Sequence, residues 1–228
     1  MQIKFLGTGG AFEFEKGTSA AIVTLSGKHI LIDCGFSTIL RLNETGLINT
    51  IDYILITHLH GDHVGSLSTL LSYYKYKLKI EMPKIIVPTE TFHSELRQFL
   101  NLSNGTDWVS YAPIEDFAGI GFVDTTGQHI KEMTSFAYYF LEGDECIYYS
   151  GDIGNADTAK QFLLSRTEPN IKVFHETTAS SSSPSHTPYQ EVQETLKDHE
   201  VYAYHVAKEN MPADCTLTLV EEVPELLA

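Results

Sequence analysis

The sequence predicts an α/β chain folded as an αββα sandwich, two sheets packed face to face with helices outside. Three observations carry that expectation. The order along the chain is strand-rich, then helical, then strand-rich again. Ile51–Thr57 is a nearly continuous apolar run, the pattern of a strand buried on both faces. The chain has 228 residues, 43% of them hydrophobic, enough for one sizeable core. With no internal repeat and no stretch that reads as a linker, residues 1–228 are expected to form a single domain.

The elements follow in order. Ile3–Gly7, Ser19–Leu25 and His29–Gly35 are rich in β-branched and apolar residues, are separated by glycine-containing turns, and are expected as strands. After the Ile51–Thr57 strand, Val64, Leu67, Leu70, Leu71 and Tyr74 recur at helical spacing. Lys84–Pro88 reads as a strand. Residues 89–100 read as a helix with Thr89 or Thr91 near its start. Phe136–Leu141 and Cys146–Ser150 form a predicted hairpin turned by Glu142-Gly143-Asp144. Asp157–Arg166 is expected to be helical and Ile171–Glu176 a strand. Ser180–Ser185 is a Ser/Pro loop, and Thr187-Pro188 suits the start of a helix through Lys197. Val201–Val206 is the last clear strand. Gly7-Thr8-Gly9-Gly10 fails both nucleotide fingerprints: Phe12 stands where the final glycine of G-x-G-x-x-G belongs, and no Gly-Lys-Ser/Thr follows. It is expected to be a tight turn.

Composition narrows the function. A formal charge of −15 disfavours any long nucleic-acid partner, because such binding rests on basic surface. No run approaches eighteen apolar residues, and the opening residues lack a signal-peptide pattern. Cys34, Cys146 and Cys215 are an odd, sparse set, which points to reduced thiols and a cytoplasmic protein.

The decisive segment is Thr57-His58-Leu59-His60-Gly61-Asp62-His63. Three imidazoles and a carboxylate within six residues match the nitrogen and oxygen ligands that zinc prefers, and they directly follow a strand able to hold them. His29, His93 and His199 lie in polar surroundings and are expected at the surface.

This H-x-H-x-D-H motif after a strand resembles the metallo-β-lactamase superfamily. The resemblance extends to His129 in TTGQHIKEM, Asp152 in YYSGDIG and His205 in YAYHVAK. It implies the metallo-β-lactamase fold and two zinc ions, with manganese as the alternative. His58, His60 and His129 would hold one ion, Asp62, His63 and His205 the other, and Asp152 would bridge them. Asp33 in IDCG matches a buried Asp that orients ligand groups, a role that fits the need to fix the second nitrogen of a ligand histidine.

Fold alone does not select a reaction. Phe174-His175-Glu176-Thr177-Thr178 and Ser185-His186-Thr187-Pro188 resemble the ribonuclease Z branch. There the resemblance implies phosphodiester chemistry, with His186 donating a proton to the leaving oxygen or stabilising its charge, and Glu176 orienting His186. The branch's tRNA-gripping arm lies between the third histidine ligand and the bridging Asp, and here Asp152 follows His129 by only 23 positions. Over the whole chain the sequence most resembles the compact phage anti-Pycsar phosphodiesterases, which destroy cyclic pyrimidine mononucleotide defence signals. That resemblance implies hydrolysis of 3′,5′-cyclic nucleotides such as cCMP and cUMP to 5′-monophosphates, in the host cytoplasm if phage-encoded. It also implies a homodimer, with Val64–Tyr76 near the contact. Tyr73, Tyr74, Trp108 and Tyr111 are the candidates to stack on the base, although such residues more often serve packing. Two other readings remain: a ribonuclease Z-like or general phosphodiesterase acting on short RNA, and a cyclic-nucleotide sponge without turnover.

Overall fold

In a computed structural model, which describes residues 1–104 and 108–228, twelve strands form two six-stranded sheets. The first sheet opens as an antiparallel meander of β1 (Gln2–Gly7), β2 (Ala20–Leu25) and β3 (Lys28–Ile32). Ser26 and Gly27 turn β2 into β3 with φ of 49° and 75°, the paired left-handed geometry that matches strand twist in a two-residue hairpin. The sheet continues in parallel through β4 (Tyr53–Leu55), β5 (Lys84–Val87) and β6 (Tyr111–Pro113).

The second sheet repeats this plan. β7 (Ile120–Asp124), β8 (Phe136–Glu142) and β9 (Glu145–Tyr149) are antiparallel. β10 (Asn170–Glu176), β11 (Glu200–Tyr204) and β12 (Thr218–Leu219) are parallel additions. The topology is therefore duplicated although the sequence carries no visible repeat. Burial and register can be conserved by apolar pattern without residue identity.

Helices α1 (Thr38–Glu44), α3 (Leu67–Ser72) and α4 (Glu90–Asn104) bury Leu42, Leu67, Leu70, Leu71, Phe92 and Leu96 in the same core as the first sheet. Helices α5 (Asp157–Leu164) and α6 (Tyr189–Thr195) bury Phe162, Leu163 and Val192, with Leu196 just past the end of α6, against Tyr148 and Val173 of the second. This is the expected αββα sandwich. Between the sheets, Phe5 of β1 lies 5.4 Å from Tyr204, 5.5 Å from Phe174 and 6.0 Å from Tyr149, ring centre to ring centre. Offset aromatic contacts of this kind add to the area they bury.

The sheets are also stitched by polar bonds at one end. Phe136 N donates to the Thr57 carbonyl at 3.0 Å, and the Tyr138 hydroxyl donates to the Ile56 carbonyl at 2.8 Å. The segment after β4, where the histidine motif begins, is thereby tied to the opposite sheet.

Several boundaries differ from expectation. β3 stops at Ile32, because Asp33 turns to φ 63° to aim its carboxylate inward. Short polar side chains tolerate that conformation best. The helix predicted around Val64–Tyr74 divides into the single turn α2 (Gly61–Val64), α3 and a π-helical turn, Tyr73–Leu78. Thr89 caps α4: Phe92 N donates to its hydroxyl at 3.2 Å. Thr187 does not cap α6. Pro188 occupies that position, and the Thr187 hydroxyl donates instead to the Ile153 carbonyl at 2.8 Å.

Candidate metal centre

The site lies where the parallel strands end, the usual place for chemistry in such sheets. β3 delivers Asp33, β4 the His58–His63 segment, β9 Asp152, β10 Glu176 and β11 His205. His129 comes from the turn between β7 and β8. Two features of the chain force this convergence. Gly151 adopts φ 61°, and a Cβ there would meet the Phe136 carbonyl at 2.8 Å and Thr57 at 3.0 Å. Only glycine lets β9 turn this tightly beside the histidine segment and aim Asp152 inward. Gly35 is more constrained still: a Cβ would lie 1.8 Å from the Asp62 carbonyl oxygen.

The sequence-predicted ligands come together in two groups. In the first, His60 Nδ1 is 3.1 Å from His58 Nε2 and 3.0 Å from His129 Nε2. In the second, His63 Nε2 lies 3.4 Å from Oδ2 of both Asp62 and Asp152. His205 Nε2 is 3.4 Å from the same Asp152 oxygen and 3.9 Å from Asp62. That Asp152 oxygen also faces His129 Nε2 at 3.8 Å and His58 Nε2 at 3.9 Å. One carboxylate oxygen thus stands between the two groups.

Other hydrogen bonds orient the rings. Asp33 Oδ2 accepts from His63 Nδ1 at 2.7 Å, and Asp33 itself accepts from Thr57 N and the Thr57 hydroxyl. The Thr57 hydroxyl also meets His58 Nδ1 at 3.0 Å. His129 Nδ1 donates to the Ser185 carbonyl at 2.6 Å. In each case the nitrogen facing the centre is left free for an ion, as ligand histidines require. The Asp33 role expected from the sequence matches these contacts.

The residues fit a metal on three counts. Donor atoms of each group lie within 4.8 Å of one another. His63 Nε2 and Asp152 Oδ1 are buried without a hydrogen-bond partner, which is costly unless something else satisfies them. Protonation states also suit ligation, which needs neutral imidazole and ionised carboxylate. Burial lowers the pKa of His58, and it pushes His205 down to about 4. Burial alone would raise Asp152, but the His205 and His63 rings around it outweigh that and hold it well below the usual carboxylate range. His63 is the exception. Burial opposes its charge, yet the Asp152 and Asp33 carboxylates raise it well above the usual imidazole value, so an ion there must displace a proton.

Beside Asp152 sits a second pair. Glu176 is fully buried, and its Oε1 accepts from Thr187 N at 2.9 Å and Ile153 N at 3.2 Å. Its Oε2 lies 3.3 Å from His186 Nδ1, which is 3.9 Å from Asp152 Oδ2. Burial disfavours a charged His186, but the adjacent Glu176 carboxylate carries it up to about 9. Burial in turn raises Glu176 to about 7, so the two groups titrate together and the pair keeps a proton through neutral pH. The neighbouring His175 points elsewhere: it is fully buried, and its Nδ1 donates to the Glu176 carbonyl at 2.6 Å. His199 is exposed, while His29 and His93 are half-buried, His93 against Tyr111.

A cleft of about 890 Å³ opens onto these groups. The stacking candidates named from the sequence do not line it. Tyr74 is buried with its hydroxyl donating to the Ile48 carbonyl, and Tyr73 packs on the core. Trp108 carries the Lys75 ammonium 4.1 Å from its ring centre. Tyr111 packs on His93. Instead the cleft is lined by Phe12, Ile130, Val206, Thr178, Ser180 and Asn210 among others. The sequence held one signal for this: two phenylalanines, Phe12 and Phe14, in a glycine-bounded turn where nothing called for apolar side chains.

Comparison with known proteins agrees with the fold and identifies a family. The family model described as "Anti-Pycsar protein Apyc1" matches residues 1–219. An Apyc1 protein of Paenibacillus xerothermodurans is 32% identical over 167 residues, covering 67% of this chain and 66% of that relative, just under two thirds of its length. Among solved structures, the metallo-β-lactamase fold protein YhfI from Bacillus subtilis superposes with a TM-score of 0.70 at 19% identity, over 90% of this chain and 85% of that one. The short form of human tRNase Z gives 0.66 at 21% identity, over 92% and 93%. No helix among the described residues is long and apolar enough to cross a membrane.

Proposed function

The chain belongs to the anti-Pycsar Apyc1 family, and from that premise we propose that it is a dinuclear zinc phosphodiesterase that opens 3′,5′-cyclic nucleotides to 5′-monophosphates. The observation that carries this reading is the Asp152 oxygen shared between two groups of ligand-type residues, with the His186–Glu176 pair beside it. In this reading His58, His60 and His129 hold one ion, Asp62, His63 and His205 the other, and Asp152 both; manganese is the alternative occupant. Such a pair of ions would supply an activated water and neutralise charge on the phosphoryl oxygens.

The chain's own residues do the rest. Glu176, fixed by two backbone N–H groups, accepts a hydrogen bond from His186 Nδ1 and favours the protonated ring. As water adds to phosphorus and the P–O3′ bond breaks, His186 gives the departing 3′ oxygen a proton from Nε2. A general acid whose pKa is lifted by a buried carboxylate is suited to this step. Cyclic pyrimidine mononucleotides such as cCMP and cUMP are the preferred substrates, which would counter host antiviral signalling. The protein works in the cytoplasm, as a homodimer, without membrane or long nucleic acid.

A substrate panel tests the reading. Metal-loaded protein is offered cyclic mononucleotides, short RNA and precursor tRNA across a range of salt. Conversion of a cyclic mononucleotide to its 5′-monophosphate, with shallow salt dependence, supports it. Ligand recovered intact identifies a sponge. Processing of RNA with no cyclic-nucleotide turnover identifies a ribonuclease Z-like enzyme.

A further inference from the structure

The turn between β1 and β2 places an aromatic ring in solvent at the mouth of the metal cleft. Phe12 lines that cleft together with His60, Asp62 and His205, yet 88% of it is exposed. Ile130, from the segment that carries His129, lines the same cleft and is 39% exposed. Leaving a phenylalanine unpacked forfeits about 1.5–3 kcal/mol of burial. The ring contributes nothing to the core, and unlike Phe14 of the same turn, which is 75% exposed, it lines the cleft.

The turn that carries Phe12 is held firmly. Glu13 Oε2 accepts from Gly10 N at 2.9 Å, and its other oxygen accepts from the Asn210 side chain at 2.6 Å. Glu13 N donates back to the Gly10 carbonyl at 3.3 Å, and Gly9 N donates to the Gly17 carbonyl at 2.9 Å. The turn is also pressed against a ligand. His205 N donates to the Thr8 carbonyl at 2.8 Å, and a Cβ on Gly10 would lie 3.4 Å from His205 Nε2. The loop thus couples Phe12 to the metal-facing ring, and Glu13 fastens it to the chain that follows His205.

We propose that Phe12 is the platform on which the base of the nucleotide stacks, with Ile130 closing the other side, while the phosphate occupies the centre. This rests on the proposed function for the nature of the ligand. A flat apolar face accepts any base, so Phe12 would set affinity for nucleotides over simple sugar phosphates without choosing among bases.

Calorimetric binding to the metal-loaded protein tests it, with CMP and ribose 5-phosphate as probes. The wild type should bind CMP more tightly. Phe12→Ala should weaken CMP by about tenfold, leave ribose 5-phosphate unchanged, and keep its metal content. Phe12→Trp should restore CMP binding. An unchanged CMP-to-ribose-5-phosphate ratio in Phe12→Ala, or no preference in the wild type, would overturn the inference. Turnover separates it from the reading beneath it. A wild type that opens cyclic nucleotides while Phe12→Ala keeps its ratio defeats the platform alone. A wild type that shows the preference but opens none defeats the phosphodiesterase alone.

Discussion

Asp62 and His60 sit at the centre with little structural duty elsewhere, so their loss should separate chemistry from folding. Asp62→Ala or His60→Ala is expected to abolish hydrolysis while the circular dichroism spectrum stays that of the wild type; near-normal turnover in either would remove the dinuclear mechanism. His186 is a different kind of residue. Its ring is engaged by Glu176 at 3.3 Å, so His186→Ala should slow turnover about 10²–10⁴-fold with metal content intact. Metal lost in step with activity would instead make it a ligand. The same pair sets a pH dependence. The His186 pKa is raised, so its proton is present at neutral pH and leaves as pH rises towards about 9. Activity should therefore fall on the alkaline side, and His186→Ala should lack that limb. These residues were legible in the sequence because each lies in a short motif with its own chemistry. Phe12 left only the trace of an apolar residue in a glycine-bounded turn, and such a residue carries no chemical signature until the fold shows what it faces.

At the scale of elements, the tightest constraint is the crossing of the Asp33–Gly35 segment under α2. Cys34 N donates to the His63 carbonyl at 2.7 Å, Ser66 N donates to the Cys34 carbonyl at 3.0 Å, and Gly35 abuts the Asp62 carbonyl. Gly35→Ala must push α2 away and carry Asp62 and His63 with it. Metal affinity is expected to fall at least about tenfold, the scale seen when ligand supports are lost. Gly27→Ala, whose Cβ meets nothing within 4 Å, is the control and should keep its metal. Equal metal affinity in both variants would remove Gly35 from the site's support. The central strands were readable because burial on both faces leaves a dense apolar run. β6, β7 and β12 were missed: each lies at a sheet edge, where one side is open and the apolar pattern is weak. Pro113 further disguises β6, and proline is tolerated in a sheet only at such a position.

At the scale of the whole molecule, the two sheets are held by the Phe5 aromatic cluster, remote in role from the chemistry. Phe5→Ala should cost about 3–5 kcal/mol in denaturant unfolding while metal per chain remains at the wild-type value. The αββα plan itself was predictable from the order of elements, whereas the duplication of one strand pattern was not, since topology leaves no periodicity in residue identity. That duplication divides the ligand-type residues: His58, His60, Asp62 and His63 belong to the first half, and His129, Asp152 and His205 to the second. Each of the two groups draws on both halves, so neither group is complete until the halves have docked. Metal should then leave the refolding rate almost untouched and slow the rate of unfolding, acting as a latch fastened after the chain has already found its shape.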